Sequence, residues 1–106
     1  MGTGLGSLQR AILKLCLERY PDYIAPKHVL CTYYEFPING NMESKHVFNR
    51  NAIGVKRYQS ASASIQQAFN RLEKRGLIER GHGYSDIKLK EVELPLVRKL
   101  VRGFSF

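Results

Sequence analysis

The sequence predicts a mainly α-helical fold with one small β-hairpin. Apolar residues recur at helical spacing in several segments, two short stretches near residue 80 alternate apolar and polar residues, and glycines mark the turns. The chain has 106 residues, of which 43% are hydrophobic, which is enough for one small core. We therefore predict a single domain over residues 1–106, with a core and hairpin at 7–90 and a final helix at 93–104.

The first predicted helix runs from Leu8 to about Tyr20 and is apolar on two sides. Ser7 is expected to cap its N-terminus, and Pro21 ends it. The two apolar faces comprise Leu8, Ala11, Ile12 and Leu15 on one side, and Leu13, Leu17 and Tyr20 on the other. A helix with two apolar faces needs two partners to cover it.

The second predicted helix begins at Pro26, which suits a first helical turn, and ends before Pro37. Its apolar face consists of Val29, Leu30, Tyr33 and Phe36. The periodicity then weakens over residues 37–58. Because loops of ~20 residues are uncommon in compact domains, we expect a short extra helix near Glu43–Asn49.

The third predicted helix, residues 60–75, has the clearest two-sided pattern. Its apolar face consists of Ile65, Ala68, Phe69 and Leu72. The opposite face carries small and amide side chains towards its N-terminal end and basic side chains towards its C-terminal end. It comprises Ser60, Ala63, Gln67, Asn70 and Lys74, flanked by Gln66 and Arg71. Gly76 follows, and glycine readily adopts the left-handed conformation that ends many helices.

Residues 77–90 predict a β-hairpin, because LIER and SDIKLK resemble short strands and GHGYSD between them contains turn formers. A last helix follows at 93–104, with Pro95 near its start. Its apolar side consists of Leu94, Val97, Leu100, Val101 and Phe104.

Charge indicates the class of partner. Seventeen Lys and Arg against nine Asp and Glu give a net charge of +8, and the isoelectric point is about 9.8. Such a balance favours an anionic partner, with nucleic acid first and an acidic protein or a membrane surface as alternatives. No apolar run approaches the ~20 residues that span a bilayer, and the N-terminus lacks the pattern of a secretory signal. We expect a cytoplasmic protein without membrane association.

Catalytic and metal chemistry find little support. Cys16 and Cys31 match no common zinc spacing, so two small buried hydrophobes are favoured over a redox pair. His82, Ser85 and Asp86 are close in sequence, but a hairpin tip lacks the buried geometry that activates a serine. We expect no enzymatic activity, no metal and no cofactor.

The element order helix, helix, helix, hairpin, helix, with NRLEKRGLIER joining the third helix to the hairpin, resembles the winged helix-turn-helix domain. The resemblance is broadly to small prokaryotic transcriptional regulators of the MarR and PadR kind, and it covers residues 8–90. The segment 37–58 is longer than the usual turn of this fold. The resemblance implies a regulator that binds double-stranded DNA sequence-specifically, with helix 60–75 in the major groove and hairpin 77–90 as the wing. The alternative is a winged-helix module that binds protein or RNA in a larger complex.

Residue chemistry assigns roles within that interface. The base-reading candidates are Gln66, Gln67 and Asn70, because amides can pair with an adenine edge. The candidates for backbone and phosphate contacts are Ser60, Ser62, Ser64, Arg71 and Lys74, extended by Arg57 and Tyr58 before the helix. The wing contributes Arg80, His82, Tyr84 and Lys88. The competing interpretation is an ordinary solvated helix face and a plain hairpin turn.

The apolar faces of the first and last helices bear on the oligomeric state. Both are difficult to bury within 106 residues, so we predict a homodimer through these helices. The resemblance to MarR- and PadR-type regulators implies that such a dimer places two recognition helices about 34 Å apart, one DNA turn. The alternatives are a monomer, in which the last helix packs on the first, and a last helix that lies on a membrane surface.

Overall fold

The computed structural model describes residues 6–38, 40, 47–81 and 85–103. The elements are α1 (Ser7–Arg19), α2 (Pro26–Thr32), α3 (Arg50–Ile53), α4 (Val55–Lys74), β1 (Ile78–Arg80), β2 (Ile87–Leu89) and α5 (Leu94–Leu100). A 3₁₀ turn, Glu91–Glu93, precedes α5. The predicted class, mainly helical with a small antiparallel hairpin, is confirmed.

The core is organised around α4, which packs against α1, α2, α3 and β1. Its buried residues are Ala61, Ile65, Ala68, Phe69 and Leu72, so the predicted apolar face is confirmed. The predicted start at residue 60 is wrong, because α4 begins at Val55. The apolar stripe continues towards the N-terminus through Ala61 and the half-buried Tyr58, so packing supports the additional turn.

The C-terminus of α4 is closed by a glycine motif. Gly76 has a φ of 79°, in the left-handed region, as the sequence predicts. Its N–H donates to the Glu73 carbonyl at 2.9 Å, and the Leu77 N–H donates to the Leu72 carbonyl at 3.2 Å. This is the hydrogen-bond pair of a Schellman motif, and the buried Leu77 and Leu72 supply its apolar contact. The motif turns the chain directly from α4 into the hairpin.

The hairpin is attached to the domain through both of its strands. β1 and β2 pair antiparallel, with Ile78 opposite Leu89 and Arg80 opposite Ile87. Ile24, between α1 and α2, forms a bridge on the outer edge of β2. The Ile24 N–H donates to the Ile87 carbonyl at 2.8 Å, and the Ile24 carbonyl accepts from the Ile87 N–H at 2.9 Å. Since β1 also packs on α4, the position of the hairpin beside that helix is fixed.

The first and last helices, α1 and α5, pack against each other within one chain. This is the packing expected for the monomer, the alternative to the predicted dimer. α1 contacts α2, α4, α5 and β2, and it buries Ala11, Ile12, Leu13, Leu15 and Cys16. Val97 and Val101 of the last segment are buried as well. The predicted extent 93–104 is too long, because α5 ends at Leu100, and Phe104 lies outside the described residues. The described part of the chain contains no helix with the length and apolarity needed to cross a membrane.

Two predictions about helix ends are wrong. Ser7 is the first residue of α1 rather than its cap; Gly6 precedes the helix, without a side-chain capping bond. α2 ends at Thr32, because Glu35 adopts a positive φ of 55° and turns the chain out of the helix. Phe36 is buried as predicted, but it lies outside the helix.

The segment between α2 and α4 contains one short described helix, α3. Residues 43–46 of the helix expected at Glu43–Asn49 lie outside the described residues, and its last three residues, 47–49, are not helical. α3 occurs later, at Arg50–Ile53, and the Asn49 side-chain oxygen caps it by accepting from the backbone of Asn51 and Ala52. Gly54 separates α3 from α4 with φ 107° and ψ 118°, a conformation that only glycine adopts without strain.

Cys16 and Cys31 are free thiols. Cys16 is buried, and this burial raises the pKa of its thiol to about 12, so Cys16 stays protonated at neutral pH and behaves as a small hydrophobe. Cys31 is half-buried at the end of α2.

The N-terminus of α2 makes stability sensitive to pH. The Ala25 N–H donates to Nδ1 of His28 at 2.8 Å, so this nitrogen must be unprotonated. Burial lowers the pKa of His28, and the nearby Arg19 charge lowers it further. An unfolded histidine titrates near pH ~6.5. As the pH falls below that value towards the folded pKa, the unfolded chain binds the proton more readily, and the free energy of unfolding decreases.

We therefore expect chemical denaturation to give a lower free energy of unfolding at pH 5.5 than at pH 7.5. His28→Gln should remove most of this difference, because glutamine does not titrate. His82→Gln is the matched control and should retain it. An unchanged pH dependence in His28→Gln would contradict the assignment.

Candidate nucleic-acid interface

The solvent side of α4 forms one continuous polar ridge. Residues three and four apart share a helix face, so Lys56, Ser60, Ala63, Gln67, Asn70 and Lys74 line up along it. All six are exposed, as are the flanking Gln66 and Arg71. At about 1.5 Å per residue the 20-residue helix is about 30 Å long, enough to follow a DNA groove.

Positive charge is concentrated on α3 and α4. Residues 50–75 hold six of the seventeen Lys and Arg of the chain but only one of the nine Asp and Glu. That acid, Glu73, accepts a hydrogen bond from Nε of Arg80 at 3.1 Å. Because its charge is compensated by an arginine of the hairpin, it does not offset the cations on the ridge.

Arg80 joins the hairpin to α4 instead of projecting into solvent. A second nitrogen of its guanidinium donates to Oδ1 of Asn70 at 2.6 Å, and its Cζ lies 5.7 Å from the centroid of the Phe69 ring. Its side chain is only 11% exposed. The predicted phosphate ligand Arg80 and the predicted base reader Asn70 therefore bind each other, and both are occupied in the free protein.

The two described cations of the hairpin, Arg80 and Lys88, do not share a surface. Successive residues of a strand point to opposite faces. Arg80, opposite Ile87, faces α4, whereas Lys88 is opposite Glu79 and places its Nζ 5.1 Å from the Tyr23 ring centroid. The hairpin thus directs Lys88 towards the connection between α1 and α2. His82 and Tyr84, the other predicted wing residues, lie outside the described residues.

The three predicted serines lie on different sides of α4. Ser60 is exposed on the ridge, while Ser62 and Ser64 are half-buried at its two edges. Ser64 forms a hydrogen bond with Tyr34, a residue whose pKa is raised by burial and which therefore remains a hydroxyl at neutral pH. The hydroxyl of Ser64 is therefore engaged within the fold, whereas that of Ser60 is accessible to a ligand.

Arg57 and Tyr58 belong to the first turns of α4 rather than to a preceding segment. Tyr58 is half-buried and packs against Phe36 and Phe48. Arg57 is exposed, with its Cζ 4.9 Å from the Phe36 ring centroid. The two residues are brought to the N-terminal end of the ridge.

Two further exposed residues of this end, Lys56 and Gln59, were not among the predicted site residues. They lie in the first turns of α4, whereas Gln66 lies about 15 Å beyond Lys56 and about 10 Å beyond Gln59 along the helix axis, at about 1.5 Å per residue. The signal that could have identified them is Gly54 followed by an apolar pattern that continues through Tyr58 and Ala61.

No family model, no curated protein and no solved structure matches the chain.

Proposed function

We propose that the protein is a small transcriptional regulator that binds double-stranded DNA sequence-specifically, through a winged helix-turn-helix fold. In this proposal α4 enters the major groove, and the hairpin of β1 and β2 is the wing. The protein would act in the cytoplasm, where its DNA lies. It needs no cofactor, metal or catalytic residue.

The charge of residues 50–75 is the observation that carries the proposal. Duplex DNA is bound largely through neutralisation of its phosphates by Lys and Arg. Lys56, Arg57, Arg71 and Lys74 are exposed along α4, and Glu73 is compensated by Arg80. An ordinary solvated helix face usually carries acids as well as bases, so the scarcity of acids in residues 50–75 favours an anionic ligand.

The position of the hairpin supports the wing assignment. β1 packs on α4, Arg80 bonds Asn70 and Glu73 of α4, and the bridge to Ile24 holds the opposite edge. The hairpin therefore projects from a fixed place beside the ridge. A wing of this kind can follow the phosphates that flank the groove occupied by the helix.

Base reading is assigned to the free amides of the ridge. Gln66 and Gln67 are exposed, and a glutamine amide can form two hydrogen bonds with the adenine edge. Gln59 is exposed nearer the N-terminus of the helix, the end that usually reaches the bases in helix-turn-helix proteins. Asn70 joins this set only after Arg80 releases its side-chain oxygen.

The test is fluorescence anisotropy with a labelled random duplex at several salt concentrations, followed by selection of a specific site. Wild-type protein should bind the random duplex in the micromolar range, with a steep negative slope of log affinity against log salt. Gln67→Ala should then weaken the specific site by about 1–3 kcal/mol relative to the random duplex. Lys74→Ala should weaken both alike and reduce the slope by about one.

Equal losses on specific and random DNA for Gln67→Ala would contradict base reading by this residue. Failure of the wild-type protein to bind any duplex at low salt would overturn the whole proposal. The alternative, a winged-helix module for an acidic protein or RNA, would then be preferred.

A homodimer through the first and last helices remains a part of the proposal. Since α1 and α5 cover each other within the chain, the proposed partner surface among the described residues is formed by Val92, in the turn before α5, and Leu96 of α5, which are both exposed. Sedimentation of the wild type and of a Val92→Lys, Leu96→Lys variant tests it. A wild-type protein that is monomeric both free and on DNA would exclude the dimer.

A further inference from the structure

Five aromatic rings form a continuous cluster between the end of α2 and the start of α4. Its members are Tyr33, Tyr34, Phe36, Phe48 and Tyr58. Phe36 lies at the centre, with its ring centroid 5.6 Å from Tyr34, 6.4 Å from Phe48 and 6.4 Å from Tyr58. Because Phe36 is buried and touches three other rings, the cluster is a fixed platform.

Two arginines lie over this platform. Cζ of Arg50, in α3, is 4.9 Å from the Tyr58 ring centroid, and Cζ of Arg57, in α4, is 4.9 Å from that of Phe36. The Phe36 and Tyr58 rings are stacked, with 25° between their planes. The two guanidinium groups are therefore supported by adjoining rings, although Gly54 separates their helices.

A guanidinium that rests on a ring keeps its hydrogen-bonding capacity. The ring restricts the rotamers of the arginine, while the N–H donors around the guanidinium edge remain directed outwards. Both side chains are exposed, and within residues 6–38, 40, 47–81 and 85–103 neither forms an ion pair with a carboxylate. Part of the entropy cost of binding an anion is thus already met by the fold.

We infer that Arg50 and Arg57 are a pair of ring-supported phosphate ligands, which hold the sugar–phosphate backbone of duplex DNA beside the N-terminal end of α4. The inference rests on the proposed function. The planar fork of an arginine fits two oxygens of a phosphate group, and the exposed Lys56 adds positive charge at the same end of the helix. From the sequence, Arg50 is an isolated charge that could extend the basic surface but is more typical of a solubilising residue, because its contact with the Tyr58 ring depends on the fold.

The experiment compares salt titrations on one labelled random-sequence duplex. Two double variants are compared with the wild type: Arg50→Gln with Arg57→Gln, and Arg50→Lys with Arg57→Lys. The control is Arg10→Gln, which removes the charge of an exposed arginine on α1. Circular dichroism melts confirm that each variant is folded. The double Gln variant should reduce the log–log slope by about 1.8, since each phosphate contact contributes about 0.9. The double Lys variant should keep the slope but lose about two- to fivefold in affinity per substitution.

Each other outcome overturns a defined part of the inference. A double Gln variant with the wild-type slope, or an equal slope change per charge in Arg10→Gln, means that Arg50 and Arg57 are not phosphate ligands. A double Lys variant with wild-type affinity removes the role of the rings. If the wild-type protein does not bind the duplex, both the inference and the proposed function are wrong. The results described above for the double Gln, Arg10→Gln and double Lys variants would instead leave the proposed function intact.

Discussion

Replacement of Lys56, Arg71 and Lys74 together by alanine is expected to weaken binding to any duplex by roughly 10²–10³-fold near 0.1 M salt. All three side chains are exposed on α4. Each phosphate contact contributes a factor of about [salt]^−0.9, roughly eightfold at 0.1 M, and three such contacts multiply. The measurement is anisotropy with random and selected duplexes, which should lose affinity in parallel while the log–log slope falls by about 2.7.

The control for this variant carries the same change of charge elsewhere. Arg10, Lys99 and Arg102 are exposed on α1 and around the last helix, and their joint replacement by alanine also lowers the net charge by three. If the control loses as much affinity and slope as the α4 variant, net charge rather than the surface of α4 determines binding. The assignment of α4 would then have no support.

Phe69→Ala is expected to destabilise the protein by about 3–5 kcal/mol, the cost of removing a fully buried aromatic ring. Phe69 is completely buried in the core cluster, and Arg80 lies over its ring. The loss approaches the whole stability of many domains, about 5–15 kcal/mol. Urea denaturation should show it as a lower midpoint, or as an unfolded protein if the wild type is only marginally stable.

Gln67→Ala, at an exposed position of the same helix, is the matched control and should stay within about 0.5 kcal/mol of the wild type. A loss below about 1 kcal/mol for Phe69→Ala would mean that α4 does not use this ring to hold the core together.

The parts of the fold that the sequence predicted are those determined by local pattern. The stripe of Ile65, Ala68 and Leu72 can be recognised because a regular helix buries residues at a fixed spacing. Gly76 can be recognised because few residues other than glycine adopt its φ of 79°. In both cases the determining interactions involve residues within one or two helical turns.

The errors arise where contacts distant in sequence decide the conformation. Phe36 has the spacing of a residue in α2, yet it is buried because Phe48 and Tyr58, from later segments, surround it. Glu35 can leave the helix at a positive φ because this aromatic packing holds the chain on either side. Spacing alone does not distinguish a helical apolar residue from one recruited by such a cluster.

The polar face of α4 could be predicted from the sequence, but the contacts that its residues make with other elements could not. The polar face of α4 follows from the helical wheel, whereas the bond from Arg80 to Asn70 depends on how the hairpin folds back on the helix. Likewise, the two apolar faces of α1 suggested a partner copy, but α5 covers part of this surface within the same chain. A single sequence shows which residue types are present. The Arg80–Asn70 hydrogen bond and the packing of α5 on α1 depend on how the chain folds in three dimensions.

The concentration of positive charge on residues 50–75 has a consequence for the kinetics of encounter. The strands of the hairpin with Asp86 carry two acids and two bases, so they add no net charge, while the helical segment carries most of the excess. A duplex would therefore orient the incoming protein with α4 foremost, before any contact forms. Added salt, or removal of positive charges from α4, should then lower the association rate constant. Loss of the Gln67 side chain should mainly raise the dissociation rate constant. Stopped-flow measurements can separate the two effects.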